Sequence, residues 1–545
     1  MRRSLTSATL LLLACGLMLP VLSVLLSWAK GGGDARAVLS QMLQTVLLDY
    51  SLTSLVLCLC VGLGVAVVGV ATAGAVTLFN FTGRRTFEWA LLLPLAMPAY
   101  VVAYAYTDFL QYAGPLQESL RAAFGWQGRL LPEVRSLGGA VLVFIVVLYP
   151  YVYLLARAAL AERAVHLMEA ARLLGAPLGR RIRAVALPLA RPAVAAGVAL
   201  ALMETLADYG VASYFGIQTF TAGIYKAWLS MDNRIAAAQL ATVLLVVVAL
   251  LLRLEAGAQK RMRFAGARAG AGAAAGVVTG AASRLDGLPT QLHGVRAALA
   301  WGLCALPVAL GFVLPVLFML RPLVRGWGSA AWPQFVSWAF NSMYLAGITA
   351  LLATLLALSL AFVARTHARW PARWALQLVS LGYAVPGAVI VVGLLVPVEW
   401  LQQAAPRWGV GYWVTATVLG VVWAYLVRFT AVALQSVQSG YTRLPTSLDD
   451  SARMLGATGM DLLRRVHGPL LKRSVSVAAL LVFVDVMKEL PATLVLRPFN
   501  SDTLAVAAFQ LARDERLGEA ALPALALVLV GLLPVVLLSR TLRVR

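Results

Sequence analysis

Long apolar runs recur along the whole chain and limit the folds that it can adopt. A helix that rises about 1.5 Å per residue needs about 20 apolar residues to cross a bilayer. About twelve runs have a suitable length, at residues 7–28, 55–79, 87–107, 138–156, 193–215, 236–254, 296–320, 343–364, 374–398, 412–436, 473–496 and 520–539. The pattern predicts an all-α polytopic membrane protein.

The composition agrees with a membrane protein and argues against a soluble one. Hydrophobic residues make up 61% of the 545 residues and charged residues only 12%, whereas soluble domains are about 45–50% apolar. The formal net charge of +22 would suggest nucleic-acid binding in a soluble chain. Here the basic residues are concentrated in short loops, where they determine topology. We therefore expect a lipid bilayer around the chain and no nucleic-acid partner.

One polar segment occurs twice in the chain. EAARLLGAPLGRRIRAVALP spans 169–188 and DSARMLGATGMDLLRRVHGP spans 450–469, and the two starting numbers differ by 281. That shift superimposes Ala171 on Ala452, Arg172 on Arg453, Leu174 on Leu455, Gly175 on Gly456, Ala176 on Ala457 and Pro188 on Pro469. Internal duplication is typical of transporters built from two similar halves. We predict two homologous six-helix halves, 1–255 and 295–545, each with one copy of the segment.

The distribution of charge predicts an orientation. Alternate loops collect Arg and Lys, and such loops stay in the cytoplasm; they include both copies of the repeated segment and both termini. The first apolar run has a basic head like a signal peptide, but no small-residue cleavage motif follows it, so we interpret it as a retained helix. Residues 256–294 are rich in Gly and Ala, which predicts a flexible cytoplasmic linker between the halves.

Each copy of the repeated segment predicts a short helix, a glycine break, a basic stretch and a proline before the next membrane helix. Gly175 and Gly456 can end the short helix with positive φ. The first copy has an apolar face opposite its arginines, formed by Leu173, Leu174, Ile182, Val185 and Leu187. A single loop of this kind could serve only to fix topology, but the recurrence of Gly and Pro at one spacing favours a docking element for a partner.

The duplicated segment resembles the EAA loop of permease subunits of binding-protein-dependent ABC importers. The resemblance rests on Glu-Ala-Ala at 169–171, the glycine six residues after the Glu, and Leu-Pro at 187–188. In that family the loop is a coupling helix that docks into a separate ATPase. The resemblance therefore implies a type I importer permease fold and two copies of an ATPase partner. It assigns ATPase coupling to Glu169, Ala170, Ala171, Gly175 and Pro188, and to Asp450, Ser451, Ala452, Gly456 and Pro469.

The second copy departs from the family pattern at three positions. Asp450 replaces Glu, Ser451 replaces Ala, and Gly468 replaces the Leu before Pro. The negative charge is kept on a shorter side chain, so the two ATPase contacts need not be equally strong.

The chain has no nucleotide-binding loop of its own. That motif, G-x-x-x-x-G-K-[ST], needs Lys before Ser or Thr, and none of the lysines is followed by either: Lys30, Lys226, Lys260, Lys472 and Lys488. We predict a transport subunit rather than an enzyme, with no bound cofactor and with ATP used by partner subunits.

Four acidic residues lie inside predicted membrane runs at duplicated positions. Glu204 and Asp208 lie in the fifth run, and the same shift leads to Asp485 and Glu489 in the eleventh. The spacing places each pair on one face of a helix, where a charge costs about 2.5–3.5 kcal/mol. Two interpretations remain open: the acids line a translocation path, or they pair with neighbours such as Lys488. No metal site is assigned.

Other stretches resemble the fused ferric iron permeases that serve periplasmic iron-binding proteins. They are LPLAMPAYVVAY at 93–104, METLADYGVASYFGIQTFTAGIYKAW at 203–228, LGYAVPGAVIVVG at 381–393 and MKELPATLVLRPFNSDTLAV at 487–506. The resemblance implies import of Fe(III) from a periplasmic binding protein across the bacterial inner membrane.

Two alternatives are open for the function. Permeases for thiamine, phosphonates, polyamines or sulfate share the architecture, and the binding protein usually sets their specificity. A secondary transporter that uses the four acids as a proton relay would also be duplicated, but it leaves the paired loops unexplained.

Overall fold

The computed structural model describes residues 2–30, 33–125, 127–161, 165–274, 290–329, 331–366, 370–457 and 459–543, which are almost entirely helical. The helices up to the linker are α1 (Arg2–Lys30), α2 (Gly33–Thr45), α3 (Leu47–Leu78), α4 (Arg84–Ala90), α5 (Ala99–Leu110), α6 (Pro115–Phe124), α7 (Leu137–Ala159), α8 (Val165–Leu173), α9 (Leu178–Arg181), α10 (Leu187–Ala207), α11 (Gly210–Phe215), α12 (Phe220–Tyr225) and α13 (Arg234–Ala274).

The helices after the linker are α14 (Val295–Val308), α15 (Leu314–Arg325), α16 (Trp332–Thr366), α17 (Trp370–Leu381), α18 (Gly387–Ala404), α19 (Val410–Thr415), α20 (Val418–Tyr441), α21 (Thr446–Met454), α22 (Gly468–Lys488), α23 (Pro491–Leu496), α24 (Leu504–Arg513) and α25 (Leu517–Arg543). Strands β1 (Phe79–Asn80) and β2 (Thr290–Gln291) pair in parallel, with Phe79 opposite Thr290.

The described helices confirm the all-α membrane class. Within the described ranges, ten helices are long and apolar enough to span a membrane, and a bent pair adds an eleventh. The sequence predicts about twelve. The difference lies in the run at 473–496, which corresponds to α22, a helix whose apolar residues are interrupted by Lys472, Arg473, Asp485 and Lys488.

The bent pair is the third predicted run. Arg84–Ala96 and Ala99–Phe124 meet at an angle of 89°, with Met97 extended and Pro98 at the start of α5. Val385 and Pro386 repeat this arrangement before α18. A residue before proline is restricted to extended conformations, so proline ends the preceding helix at both places.

The helices pack into two compact units, and each unit contains helices from both predicted halves. One unit comprises Met1–Leu48, Phe220–Leu245 and Gly326–Val530, and the other comprises Asp49–Thr219, Val246–Arg325 and Gly531–Arg545. The opening helix of each half therefore belongs to the unit formed mainly by the other half. The boundaries 1–255 and 295–545 describe the repeat in the sequence and not the packing.

In the first unit, α1 packs against α17 and α18. A side chain at Gly393 of α18 would collide with the Pro20 carbonyl of α1, so only glycine permits this close approach. Ser23 Oγ donates a hydrogen bond to the Gly393 carbonyl, and Trp423 Nε1 donates to the Gly16 carbonyl at 3.2 Å.

In the second unit, α15 and the π-helical turn before it pack against α5. Tyr106 Oη donates a hydrogen bond to the Leu310 carbonyl at 2.6 Å. The rings of Phe109 and Phe318 stack with their centroids 3.9 Å apart. A stacked aromatic pair adds about 0.5–1.5 kcal/mol beyond its buried area.

Part of the predicted linker is helical. Helix α13 continues beyond the membrane run to Ala274, so residues 256–274 are helical and the prediction of a flexible segment is wrong there. This stretch contains Ala, Gln, Lys, Arg and Met, which favour helix, and it extends a helix that is already nucleated. Residues 275–289 lie outside the described part of the chain.

The helices around the repeated segment are duplicated residue by residue. The shift of 281 carries both ends of α8 onto α21, of α10 onto α22, and of α11 onto α23. A π-helical turn precedes α10 and α22 as well, at Ile182–Ala186 and Leu462–His467. The repeated segment therefore adopts the same local structure twice.

Candidate docking loops and intramembrane acids

The two repeated loops end their short helices with the same hydrogen bonds. In the first, Gly175 N donates to the Arg172 carbonyl at 2.9 Å and Ala176 N to the Ala171 carbonyl at 3.0 Å. In the second, the bonds from Gly456 N to Arg453 and from Ala457 N to Ala452 have the same lengths. This pair of bonds is the Schellman motif, which requires a left-handed residue after the helix.

The glycine at each turn has the conformation that the motif needs. Gly175 has φ of 78° and Gly456 has φ of 86°. A Cβ at either position would meet nothing within 4 Å, so the cost of any other residue comes from the backbone and not from crowding. The sequence predicts positive φ at both glycines, and the structure confirms it.

Each loop presents two large apolar side chains to solvent immediately before its glycine. Leu173 and Leu174 are 88% and 87% exposed, and Met454 and Leu455 are 89% and 88% exposed. We call these pairs the loop tips. A nearly fully exposed apolar pair at the same position of two loops indicates a contact surface. Leu173 and Leu174 belong to the apolar face predicted from the sequence, whereas Met454 and Leu455 are not among the predicted residues.

The acidic residues of the loops lie beside the tips. Glu169 is half-buried in α8, whereas Asp450 is exposed on α21 and pairs with Arg453 at 3.5 Å. The exposed pair follows the i,i+3 spacing of a helix surface, which contributes only about 0.2–0.5 kcal/mol. Ser451 is exposed, and Ala452 packs at the buried side of α21.

A buried polar cluster holds the base of the second loop. Arg365, near the end of α16, donates from Nε to Asp449 Oδ2 at 2.7 Å and from Nη2 to Oδ1 at 3.2 Å. His467 Nε2 lies 3.0 Å from Asp449 Oδ1, and Tyr441 Oη lies 3.1 Å from His467 Nδ1. Arg365 also donates to the carbonyls of Tyr441, Leu444 and Pro445. We call Arg365, Tyr441, Asp449 and His467 the Asp449 cluster.

The cluster keeps Asp449 ionised although it is buried. Burial is the largest single effect and opposes ionisation of this carboxyl. The hydrogen bonds and charges of Arg365 and His467 act in the other direction, and together they hold the pKa of Asp449 below its usual value. A buried carboxylate with a bidentate arginine partner makes a specific, geometrically defined link.

Asp208 and Glu489 each cap the short helix that follows a break in a membrane span. The preceding helices end one residue earlier, and ψ is 132° at Asp208 and 125° at Glu489. Asp208 Oδ1 accepts a hydrogen bond from Val211 N at 2.8 Å, and Glu489 Oε1 accepts one from Ala492 N at 2.9 Å. Each predicted acid pair therefore does not lie on one continuous helix, because the helix ends between its members.

Glu489 has further partners besides the cap bond. Thr493 donates to Glu489 Oε2 from N at 3.0 Å and from Oγ1 at 2.7 Å. Arg428 Nη1 lies 3.9 Å from Glu489 Oε1, and the Glu489 side chain is 2% exposed. These contacts agree with the interpretation that the acid is bound to its neighbours.

Glu204 and Asp485 occupy the equivalent positions one turn earlier. Both are half-buried within α10 and α22. Asp485 lies close enough to Lys488 for a direct electrostatic interaction, as the pairing interpretation predicts. Among the described residues, no three His, Cys, Asp or Glu side chains come together closely enough to hold a metal ion.

Comparison with known proteins identifies the family. The model of the family described as binding-protein-dependent transport system inner membrane component matches residues 65–264 and 353–543. The chain belongs to this family. It is a permease of a binding-protein-dependent ABC importer, and the double match confirms the two-half architecture predicted from the repeat.

Three relatives show how far the similarity of this permease extends. An Fe(3+)-transport system permease protein of Haemophilus influenzae is 25% identical over 98% of this chain and 97% of its own length. A probable ABC transporter permease protein of Sinorhizobium fredii is 25% identical over 82% of this chain and 78% of its own. A putative 2-aminoethylphosphonate transport system permease protein of Salmonella choleraesuis is 27% identical over 37% of this chain and 69% of its own.

The two loops of the permease are evident from the sequence, but the contacts that hold the second loop are not. The duplicated Gly and Pro residues led to the turn and its neighbours. A search for large apolar residues at both copies of a position would also have found the loop tips. The Asp449 cluster gives no local signal, because its central ion pair joins Asp449 to Arg365, a residue 84 positions earlier on another helix.

Proposed function

We propose that this permease imports ferric iron released by a periplasmic binding protein, and that two copies of a separate ATPase drive it. The similarity to the Haemophilus influenzae Fe(3+)-transport permease over 98% of this chain supports the substrate. The hard Fe(III) ion prefers oxygen ligands, and carboxylates along a route are compatible with such a cargo.

The loop tips support the ATPase partner and its copy number. Each loop has an exposed apolar pair on a rigid turn, at positions related by the repeat. An amphipathic helix that fits a hydrophobic cleft is a common mode of recognition. Two equivalent surfaces on one chain favour two ATPase subunits per permease, and both loops and both termini then face the cytoplasm.

The proposed cycle follows from these two contacts. When ATP draws the two ATPases together, they push both loops and open the path towards the periplasm, where the binding protein releases iron. Hydrolysis separates the ATPases and reopens the path to the cytoplasm. Glu204 and Asp485 are proposed to line that path, while Asp208 and Glu489 maintain the helix breaks beside it.

Uptake by reconstituted liposomes tests the proposal. The permease is reconstituted with its ATPase inside and iron-loaded binding protein outside, and uptake of radioactive iron is followed with and without ATP. ATP-dependent uptake of iron, with no uptake of 2-aminoethylphosphonate or sulfate presented with the same binding protein, is the expected result. Uptake that persists without ATP and follows an imposed proton gradient would instead identify a secondary transporter.

A further inference from the structure

The two docking loops are alike at their tips but different at their bases. The Asp449 cluster has no equivalent at the first loop, because the shift of 281 places Leu160, Met168 and Ala186 where the second loop has Tyr441, Asp449 and His467. None of these three side chains can form an ion pair. The fourth position keeps its arginine, since Arg84 corresponds to Arg365, but Arg84 pairs with Glu88 of α4 at 3.5 Å. The carboxylate that binds this arginine at the second loop, Asp449, is replaced by the uncharged Met168 at the first.

The surroundings of the equivalent residues at the bases of the two loops also differ. Leu160 and Ala186 line an open, mostly apolar cavity of about 980 Å³, together with residues of α3 and α14. At the second loop, His467 is fully buried, with its ring edge-on to Phe362 at 5.5 Å and to Tyr441 at 5.3 Å. The buried His467 ring, with its aromatic neighbours, therefore occupies the position at which the first loop has the methyl group of Ala186 beside a cavity.

The cluster links the second loop to one particular membrane helix. Arg365 is the penultimate residue of α16, and its guanidinium bonds Asp449 of α21 as well as carbonyls that follow α20. Hydrogen bonds between charged groups are directional and stronger than apolar contacts of similar size. A displacement of α21 therefore has to move the end of α16 with it.

We propose that Asp449, His467, Tyr441 and Arg365 are positioning residues that lock the second docking loop to α16, so that the two loops transmit ATPase movement unequally. This inference rests on the proposed function, since it assigns a mechanical role to loops that bind the ATPase. The second loop is the rigid transmitter, and the first loop moves more independently of the helices behind it.

Hydrogen exchange of the full permease–ATPase complex in nanodiscs measures this difference. Amides at 449–455 are expected to exchange about tenfold more slowly than amides at 168–174, the factor given by one charged hydrogen bond. The first loop serves as an internal reference because its helix has the same length and the same terminal turn. Equal exchange at the two loops in the unmodified complex would overturn the proposal.

The cause of the difference in exchange is tested by variants in which the second loop carries residues of the first. His467→Ala and Tyr441→Leu copy the first loop directly, and Arg365→Met with Asp449→Met replaces the ion pair by apolar groups without leaving a buried charge. Each is expected to reduce the difference in exchange and to lower the maximal transport rate several-fold. The KM for loaded binding protein is expected to stay unchanged, because that protein docks on the opposite face. A double variant that transports like the unmodified permease would contradict the proposal.

A matched control removes ion pairs of similar burial that do not involve the second loop. Arg157 and Arg84 both pair with Glu88, at 3.2 and 3.5 Å. Glu88→Met with Arg84→Met and Arg157→Met leaves no unpaired charge there and is expected to leave exchange at 449–455 unchanged. Equal losses in the control and in the cluster variant would show a general effect on stability and overturn the specific role. If the unmodified permease fails to associate with any ATPase, the proposed function fails first, and the two failures are distinguishable.

Discussion

Gly175 and Gly456 lie 281 residues apart and adopt the same left-handed conformation, with φ of 78° and 86°. Each ends a nine-residue helix by the same two hydrogen bonds. The repeat therefore preserves a turn as well as a sequence, and the turn holds an exposed apolar pair in a fixed direction. The first two predictions concern this turn and the pair that it presents.

Gly175→Val and Gly456→Val are expected to uncouple ATP hydrolysis from transport while the permease still inserts. A left-handed conformation costs an L-residue about 1–2 kcal/mol, and a β-branched side chain adds to that cost, so the turn rearranges and the tip is displaced. ATPase activity and iron uptake are measured in the same liposomes, and the ratio of ATP hydrolysed to iron imported reports the coupling. Gly179→Ala is the control, because Gly179 lies in the same loop, has no positive φ and has space for a Cβ. Normal coupling in both valine variants would refute the role of the turn.

Loss of the loop tips is expected to weaken binding of the ATPase. Burial of one leucine contributes about 1.5–3 kcal/mol, so Leu173→Ser with Leu174→Ser should weaken the contact about tenfold or more. Met454→Ser with Leu455→Ser should act in the same direction on the second contact. Binding of purified ATPase to the permease in nanodiscs measures the affinity, and native mass spectrometry counts the subunits. Val324→Ser, at another strongly exposed apolar position, is expected to have no effect.

The two helix caps are expected to differ in their contribution to stability. Asp208→Ala removes the cap hydrogen bond to Val211 N, a loss that costs about 0.5–2 kcal/mol. Glu489→Ala removes three hydrogen bonds and the counter-charge of Arg428, and loss of one partner of a buried pair costs about 3–5 kcal/mol. Thermal unfolding in detergent compares the two alanine variants. Asp208→Asn is the control, because its side chain retains an oxygen that can accept the cap hydrogen bond. Equal destabilisation by both alanine variants would contradict the difference in their contacts.

The other two acids are expected to affect transport. Glu204→Gln with Asp485→Asn keeps the side-chain volumes but removes both charges, so iron uptake per folded permease should fall. The unfolding temperature should fall as well, because Asp485→Asn removes the negative charge that interacts with Lys488. The control replaces exposed acids outside the membrane runs, Asp514→Asn with Glu515→Gln. If uptake falls equally in both double variants, the acids of α10 and α22 have no special place on the path.

The close approach of α1 to α18 gives a prediction about packing. Gly393→Ala should separate the helices and destabilise the permease, since the new Cβ would collide with the Pro20 carbonyl and overpacking costs about 1–3 kcal/mol. Gly16→Ala on α1 is the control, because its Cβ would meet nothing within 4 Å. Thermal unfolding of the two variants checks the prediction, and an equally stable Gly393→Ala variant would show that α1 is held in another way.

The amino-acid sequence by itself determined the class of the fold, the duplication and the turn at each loop. Apolar length decides whether a helix can cross a membrane, and the positive φ of Gly175 follows from local chemistry at the end of a helix. The helical course of 256–274 was missed, because Ala and Gly content alone does not show that a preceding helix will extend into a segment.

Only the tertiary structure decided which helices pack together, what the intramembrane acids contact and how the second loop is held. An apolar helix looks the same in sequence whether it faces lipid or another helix, so the place of α1 beside α18 could not be read from its residues. Asp208 and Glu489 become caps only because the helices end before them. Arg365 and Asp449 meet across 84 residues, and a contact between distant residues depends on the packing of whole helices rather than on any local pattern.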